Sequence, residues 1–239
     1  VKNDPVLPAR PALSLVFPAF DEAQNLECLL DSALRTAGRL TLDFEIVVVD
    51  DGSRDHSRLV LERYARQSSR IRVVHRECNG GYGSALRSGL REARGELVFF
   101  SDADLQYDLA EIEKLLAHSD DFDIVAGYRS PRRDPVPRLV IAALWGWIVR
   151  GAFGLRVRDI DCAFKIFRRE VLESIPIASI GAFINTEILV RAASAGFRIH
   201  QVPVSHRRRR FGRQTGARPR VLLRAAIELV SLYRELRRG

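Results

Sequence analysis

Two aspartates separated by one residue, Asp102-Ala103-Asp104, come directly after an apolar run, Glu96 to Phe100. In an extended segment residues i and i+2 point to the same side, so these carboxylates can share one hard divalent cation. Magnesium takes few protein carboxylates and fills its other positions with substrate phosphate and water. Gln106, two residues further on, can add a carbonyl oxygen. A cation held there would neutralise a departing diphosphate. The plain alternative is an acidic surface turn; the position directly after an apolar strand favours the cation. A second acidic pair, Asp50-Asp51-Gly52-Ser53, follows the β-branched run Glu45 to Val49. A carboxylate there can accept hydrogen bonds from a nucleobase or ribose, while Ser53 or Asp55 can cap a following helix.

Several other chemistries find no support. The turn Asn79-Gly-Gly-Tyr-Gly83 resembles a dinucleotide fingerprint, but Leu86 stands where the third glycine or alanine belongs. The phosphate-loop pattern is absent. The histidines His56, His75, His118, His200 and His206 form no metalloprotease pair, and no G-x-S-x-G elbow occurs. Cys28, Cys78 and Cys162 are odd in number and widely spaced, which argues against a disulfide framework or zinc site and suits a reducing cytoplasm. The run His206-Arg-Arg-Arg-Arg210 can clamp a substrate phosphate; it lacks the aromatic interleaving of a nucleic-acid surface, and no nucleic acid is expected.

The elements that must position these residues alternate. Strands are expected at Leu13–Phe17, Glu45–Val49, Ile71–His75, Glu96–Phe100 and Asp123–Ala126, with helices at Asp21–Leu40, after the turn Asp51-Gly52-Ser53 to about Gln67, at Ser84–Ala93 and at Asp108–His118. That order gives an α/β fold with a mostly parallel sheet covered on both faces. Ligands in such sheets bind beyond the carboxyl ends of the strands, where both acidic pairs fall. Residues 1–12 read as a loose lead-in, 13–216 as one domain and 217–239 as a basic amphipathic helix. The 239 residues carry a formal charge of +8, with lysine only at Lys2, Lys114 and Lys165. Arginine forks onto phosphate. No signal peptide is visible, and the longest apolar run, Leu139 to Val149, is shorter than the roughly 20 residues a bilayer requires.

Taken in order, these segments resemble the family 2 glycosyltransferases of GT-A (Rossmann-like) fold, and among them the dolichol-phosphate and polyprenyl-phosphate mannose synthases. The resemblance is carried by Phe17-Pro-Ala-Phe-Asp-Glu22, Val47-Val-Val-Asp-Asp-Gly-Ser53, Asn79 to Gly83, Asp102 to Gln106, Gly127-Tyr-Arg129, Asp159-Ile-Asp-Cys-Ala-Phe-Lys165 and His206 to Gly216. It implies donor-nucleotide contacts from Pro18, Phe20, Glu22, Val49 and Asp51. It implies metal and diphosphate contacts from Asp102, Ala103, Asp104 and Gln106, with Mg2+ or Mn2+ as cofactor. Arg129 and Arg209 would face phosphates. Phe20-Asp21 replaces the family's usual tyrosine-asparagine, and Thr215 stands where a lysine is frequent.

The implied reaction is transfer of a hexose, first mannose from GDP-mannose, onto a lipid phosphate with inversion. A UDP-sugar and a hydroxyl acceptor form the alternative, which would need a general base; Asp161 and Glu187 are the candidates, and a non-catalytic nucleotide-sugar or nucleic-acid binder is the remote alternative. A lipid acceptor suggests a peripheral protein at the cytoplasmic face of a membrane. Trp145, Trp147, Ile148 and Phe153, with Arg150 and Arg156, could lie at headgroups, as could the C-terminal helix. The stretch Ser130 to Arg138 reads as a mobile loop over the site.

Overall fold

The computed structural model describes residues 11–41, 43–132, 136–212 and 219–237. The start of the lead-in, the tip of the Ser130–Arg138 stretch and Thr215 lie outside the described residues.

Apolar β-branched runs between polar turns become β1 (Leu13–Ala19), β2 (Phe44–Asp50), β3 (Ile71–His75), β4 (Leu97–Ser101) and β5 (Ile124–Arg129). Two further strands, β6 (Phe164–Arg168) and β7 (Ile199–Val204), complete one seven-stranded sheet in the order β3-β2-β1-β4-β6-β5-β7. All pairings are parallel except those of β6, which runs antiparallel to both β4 and β5. The single α/β domain with a mostly parallel sheet is therefore as expected.

Helices α1 (Ala23–Leu40), α2 (Ser57–Gln67) and α3 (Tyr82–Glu92) follow the first three strands. In α1 the residues Leu26, Leu29, Leu30, Ala33 and Ala37 are buried, the spacing of one helical face. A 3-10 turn at Leu109–Glu111 leads into the short α4 (Ile112–Leu116), so the expected helix over 108–118 forms only in part. Helix α5 (Val136–Phe153) begins inside the stretch read as a loop, which corrects that expectation for residues 136–138. Helices α6 (Arg169–Ser174), α7 (Ile184–Ser194) and α8 (Pro219–Leu236) follow.

The core is continuous across both sheet faces. Phe17, Phe99, Phe100, Phe164 and Phe167 are fully buried, each contributing about 2 kcal/mol by removal from water. Phe99 meets Phe164 edge-on at 4.8 Å, and Phe100 stacks on Phe167 at 5.9 Å, which fixes β6 beside β4. Helix α8 packs Leu229, Leu232 and Leu236 onto this core, and Arg191 of α7 holds it through Glu235, with bonds of 2.8 and 2.9 Å.

The four aromatic and aliphatic residues expected at a headgroup surface divide. Trp145 turns inward, donating through Nε1 to Thr186 Oγ1 at 3.2 Å, and Phe153 packs on Tyr233. Trp147 is 71% exposed and Ile148 lies at the surface with it. Residues two apart on a helix point in nearly opposite directions, so Trp145 and Trp147 cannot share one face.

Candidate active site

Six strands direct their carboxyl ends to one edge of the sheet, and antiparallel β6 brings its amino end there. Residues after β1, β2, β3, β4, β5 and β7, and those before β6, therefore converge. Every segment expected to carry chemistry, Glu187 apart, lies on this edge or leads into it.

The loops after β1 and β2 are laced together. Asp21 N donates to Ser53 Oγ (3.0 Å), Glu22 N to Ser57 Oγ (2.9 Å), Ala23 N to Asp55 Oδ2 (3.1 Å) and Arg54 N to Asp21 Oδ1 (2.7 Å). Asp55 also accepts from Ser57 N, the first N–H of α2, from one residue before the N-cap position, which His56 occupies without a side-chain bond. Gly52 sits at φ +70°, and a Cβ there would meet the backbone of Cys78 at 2.7 Å. The turn must therefore be glycine.

Asp51 is buried and accepts from Gly80 N (3.0 Å) and Gly81 N (2.9 Å), with Arg76 Nε at 3.2 Å. Burial raises its pKa, against those bonds and the arginine. Asp50 instead accepts from Ser53 N and meets His75 Nδ1 at 3.1 Å. Beside them a cleft of roughly 300 Å³ is lined by Asp50, Ser53, Arg54, Arg58, Arg76 and Asn79, among others. Phe20, directly after β1, is 37% exposed. Pro18 and Val49, paired across β1 and β2, are buried, and Val49 packs beneath α3. Their side chains form a floor rather than an open contact.

At the end of β4, Ser101 leads into Asp102, Ala103 and Asp104, with Leu105 at a positive φ of 60°. Ala103 is buried. Asp102 Oδ1 is buried and has no hydrogen-bond partner, nor has the Tyr82 hydroxyl. Burial, then repulsion from Asp104, pushes the Asp102 carboxyl above the ordinary aspartate range; Tyr82, Lys165 and Arg129 oppose this. A buried carboxylate oxygen without a donor is costly and suits a ligand that brings positive charge. No cluster of three or more His, Cys, Asp or Glu able to hold a metal occurs among the described residues. Asp102 and Asp104 supply two carboxylates, a number that suits a cation taking its remaining oxygens from diphosphate and water. Gln106 faces the basic segment: its Nε2 donates to Arg207 O at 3.0 Å and meets His206 Nε2 at 3.2 Å.

Arg209 crosses the site. It bonds Glu22 through Nη2, Asp104 Oδ2 through Nη1 at 3.4 Å and Phe211 O through Nε at 2.6 Å. Burial raises the Glu22 pKa, while Asn25 and Arg209 hold it down. Arg129, expected to face phosphate, is forked onto Asp159 by Nε (2.6 Å) and Nη2 (2.8 Å). Burial works against both charges, yet the pairing wins and keeps Asp159 below its ordinary range.

Of the two candidate bases, Asp161 is exposed as a residue, yet the groups crowded around its carboxyl raise its pKa, first by desolvation and then by repulsion from Asp159. Glu187 is buried and accepts from Ala178 N (3.1 Å), Ser179 N (2.8 Å) and Arg191 Nε (3.0 Å). It organises the loop before α7, whose Ile180 O accepts from Ser84 N of α3. Sequence reasoning passed over Tyr82, Asp159 and Lys165 as individual residues. The signal for the last was present: one of three lysines in an arginine-rich chain, set inside the apolar run Ala-Phe-Lys-Ile-Phe.

The sequence profile described as Glycosyl transferase family 2 matches residues 14–175. Glycosyltransferase AglD of Haloferax volcanii is 32% identical over 206 residues, covering 80% of this chain and 32% of its own. The undecaprenyl-phosphate 4-deoxy-4-formamido-L-arabinose transferase of Pseudomonas fluorescens is 34% identical over 194 residues, 76% of this chain and 57% of its own. The chain thus spans a third to under two thirds of the length of these relatives. Among solved structures, glucosyl-3-phosphoglycerate synthase of Mycobacterium tuberculosis, in complex with Mn2+, UDP and product, superposes with a TM-score of 0.65 at 24% identity, covering 94% of this chain and 76% of that one. That likeness concerns the fold.

Proposed function

The chain belongs to glycosyl transferase family 2, and we propose that it is an inverting, metal-dependent hexosyltransferase acting on a polyprenyl phosphate. The observation that carries this reading is the pair Asp102 and Asp104, with an unpartnered buried oxygen, facing Arg209 across the carboxyl edge of the sheet. The acceptor class is taken from the Pseudomonas relative, whose name specifies undecaprenyl phosphate.

Asp102 and Asp104 would hold Mg2+ or Mn2+, which when bound offsets the charge of the diphosphate. Asp51, fixed by Gly80, Gly81 and Arg76, would receive the base or ribose. The acceptor oxygen attacks the anomeric carbon as the bond to the diphosphate oxygen breaks, and that electron pair leaves on the nucleoside diphosphate. Arg209 would turn from Glu22 and Asp104 to the departing phosphate. A phosphate acceptor is already anionic, so no general base is required. With a hydroxyl acceptor a base becomes necessary, and exposed Asp161 is better placed for it than Glu187. GDP-mannose is the first donor to try, with UDP-glucose beside it.

The reaction would take place against a membrane. On α5, Val140, Leu144 and Trp147 point away from the core, as do Leu223, Ile227 and Val230 on α8. Both sets follow i, i+4, i+7, the spacing of one helix face. The sequence of α5 holds no carboxylate, and those of α8 are engaged by Arg191 and Arg224. Apolar stripes flanked by Arg150, Arg220 and Arg234 fit an anionic lipid surface, and like charge disfavours a second copy. No helix among the described residues is long and apolar enough to cross a membrane.

Transfer of label from GDP-mannose or UDP-glucose to polyprenyl phosphate, with Mg2+ or Mn2+ and with chelator, tests the reading. Chelator-sensitive transfer is the expected result. Donor turnover that ignores both metal and lipid phosphate overturns it.

A further inference from the structure

Lys165 lies in the middle of the sheet, opposite Phe100 in the β4–β6 register, one pair from the strand end that leads to Asp102. It is 1% exposed. Its Nζ donates to Ile160 O at 3.0 Å, to Cys162 O, and to Asn185 Oδ1 at 3.3 Å, and stands 5.5 Å from the Phe100 ring centre. All three partners accept and none can protonate it. Three acceptors around one nitrogen require three N–H bonds, which only the ammonium form has. No carboxylate is in salt-bridge contact with it among the described residues. Burial pushes the neighbouring Cys162 thiol up to about 12, so no thiolate balances it either.

An ammonium buried among neutral oxygens is a poor choice for stability, because removal from water penalises it and no ion pair repays the loss. Its surroundings explain its retention. Ile160 and Cys162 flank Asp161 and follow Asp159, the residue that fixes Arg129. Asn185 heads α7. We infer that Lys165 is a positioning residue: it ties the turn 159–162 and the head of α7 to the sheet and sets a fixed positive charge behind Asp102. Asp102, Asp159 and Asp161 all feel that charge, without contacting it. The inference rests on reading Asp102 and Asp104 as the cation and diphosphate site.

Two substitutions separate charge from shape. Lys165→Met keeps length and apolar packing but removes the ammonium; Lys165→Arg keeps the charge and strains the fit. In the methionine variant Ile160 O, Cys162 O and Asn185 Oδ1 lose their donor, so Tm falls by several degrees whatever the charge does for the site. If Lys165 serves the site, kcat per folded molecule, measured below the transition, falls about 100-fold in that variant, the cost of a small displacement of reacting groups, with donor KM little changed. The arginine variant also melts lower but keeps most of kcat. A parental kcat per folded molecule in Lys165→Met, or an equal loss of kcat in Lys165→Arg, overturns the inference alone. Absence of any transfer by the parent chain overturns the functional reading and this inference with it.

Discussion

Replacing Glu187 by glutamine separates a structural carboxylate from a catalytic one. Its two oxygens accept from two backbone N–H groups and from Arg191 Nε, all in the interior. Glutamine keeps one acceptor and turns an NH2 group toward donors that already point inward. Breaking a buried, hydrogen-bonded ion pair costs about 3–5 kcal/mol. In a domain of this size each kcal/mol lowers Tm by about 2–4 °C, so a fall of about 10 °C is expected. Arg191 also loses part of its hold on α8 through Glu235, so that helix loosens first. Turnover per folded molecule, measured below the transition, stays within an order of magnitude of the parent, because both oxygens of Glu187 are already taken by Ala178 N, Ser179 N and Arg191 Nε. Differential scanning calorimetry paired with the labelled-sugar assay reads both quantities. An unchanged Tm with turnover reduced a thousandfold or more would refute the argument and make Glu187 the general base of a hydroxyl-acceptor enzyme.

Asp104→Asn should abolish metal-dependent turnover. A full charge lost at contact distance is worth about 4 kcal/mol at an effective dielectric of 20, or about a thousandfold; near-parental activity would remove the proposed metal site. Metal affinity should fall as pH drops, and should begin to fall at a higher pH than for an ordinary aspartate, because Asp102 is raised by burial and by Asp104. Calorimetric Mn2+ titration across pH reads this, and a flat profile down to the usual aspartate range contradicts it. In the metal-free protein the stability term has the other sign: burial favours the protonated acid, so stability falls as pH rises through the raised pKa. Trp147 should blue-shift with anionic vesicles while inward Trp145 stays unchanged; Trp147→Ala should abolish the shift, and equal response to neutral vesicles would refute the charge argument.

Much of the fold was legible because the first five strands are apolar runs closed by polar turns, with helices of clean 3.6 periodicity between them. The unread elements break those rules for physical reasons. Strand β6 carries the buried Lys165 as its second residue, so its apolar pattern is interrupted by a charge. Strand β7 contains Pro203, which is tolerated because β7 is the sheet's edge. Helix α7 is buried nearly all round, from Ile184 through Ala192, and so shows no amphipathic stripe. The site followed the same division. Asp51, Asp102 and Asp104 could be read because they follow legible strands. The commitments of Arg129 to Asp159 and of Glu187 to the loop before α7 are long-range contacts that spacing does not encode.

The sequence motif alone could not distinguish a cation site from an acidic turn, but the pattern of partners does bear on it. At the carboxyl edge Glu22 and Asp104 meet Arg209, Asp50 meets His75, Asp51 meets Arg76 and Asp159 meets Arg129. Asp161 faces solvent. Asp102 Oδ1 has no water access and no donor in hydrogen-bond geometry; the Tyr82 hydroxyl and Lys165 act on the carboxyl from nearby. A surface turn would hydrate both oxygens, and a structural carboxylate would fill both with donors, as Glu187 does. An oxygen left bare beside a second carboxylate raises the energy of the empty site, and that energy is recovered only when positive charge arrives. The parent chain should therefore gain thermal stability on adding Mn2+ with nucleoside diphosphate, and Asp102→Asn, which relieves the repulsion, should melt higher than the parent without metal and gain nothing from it.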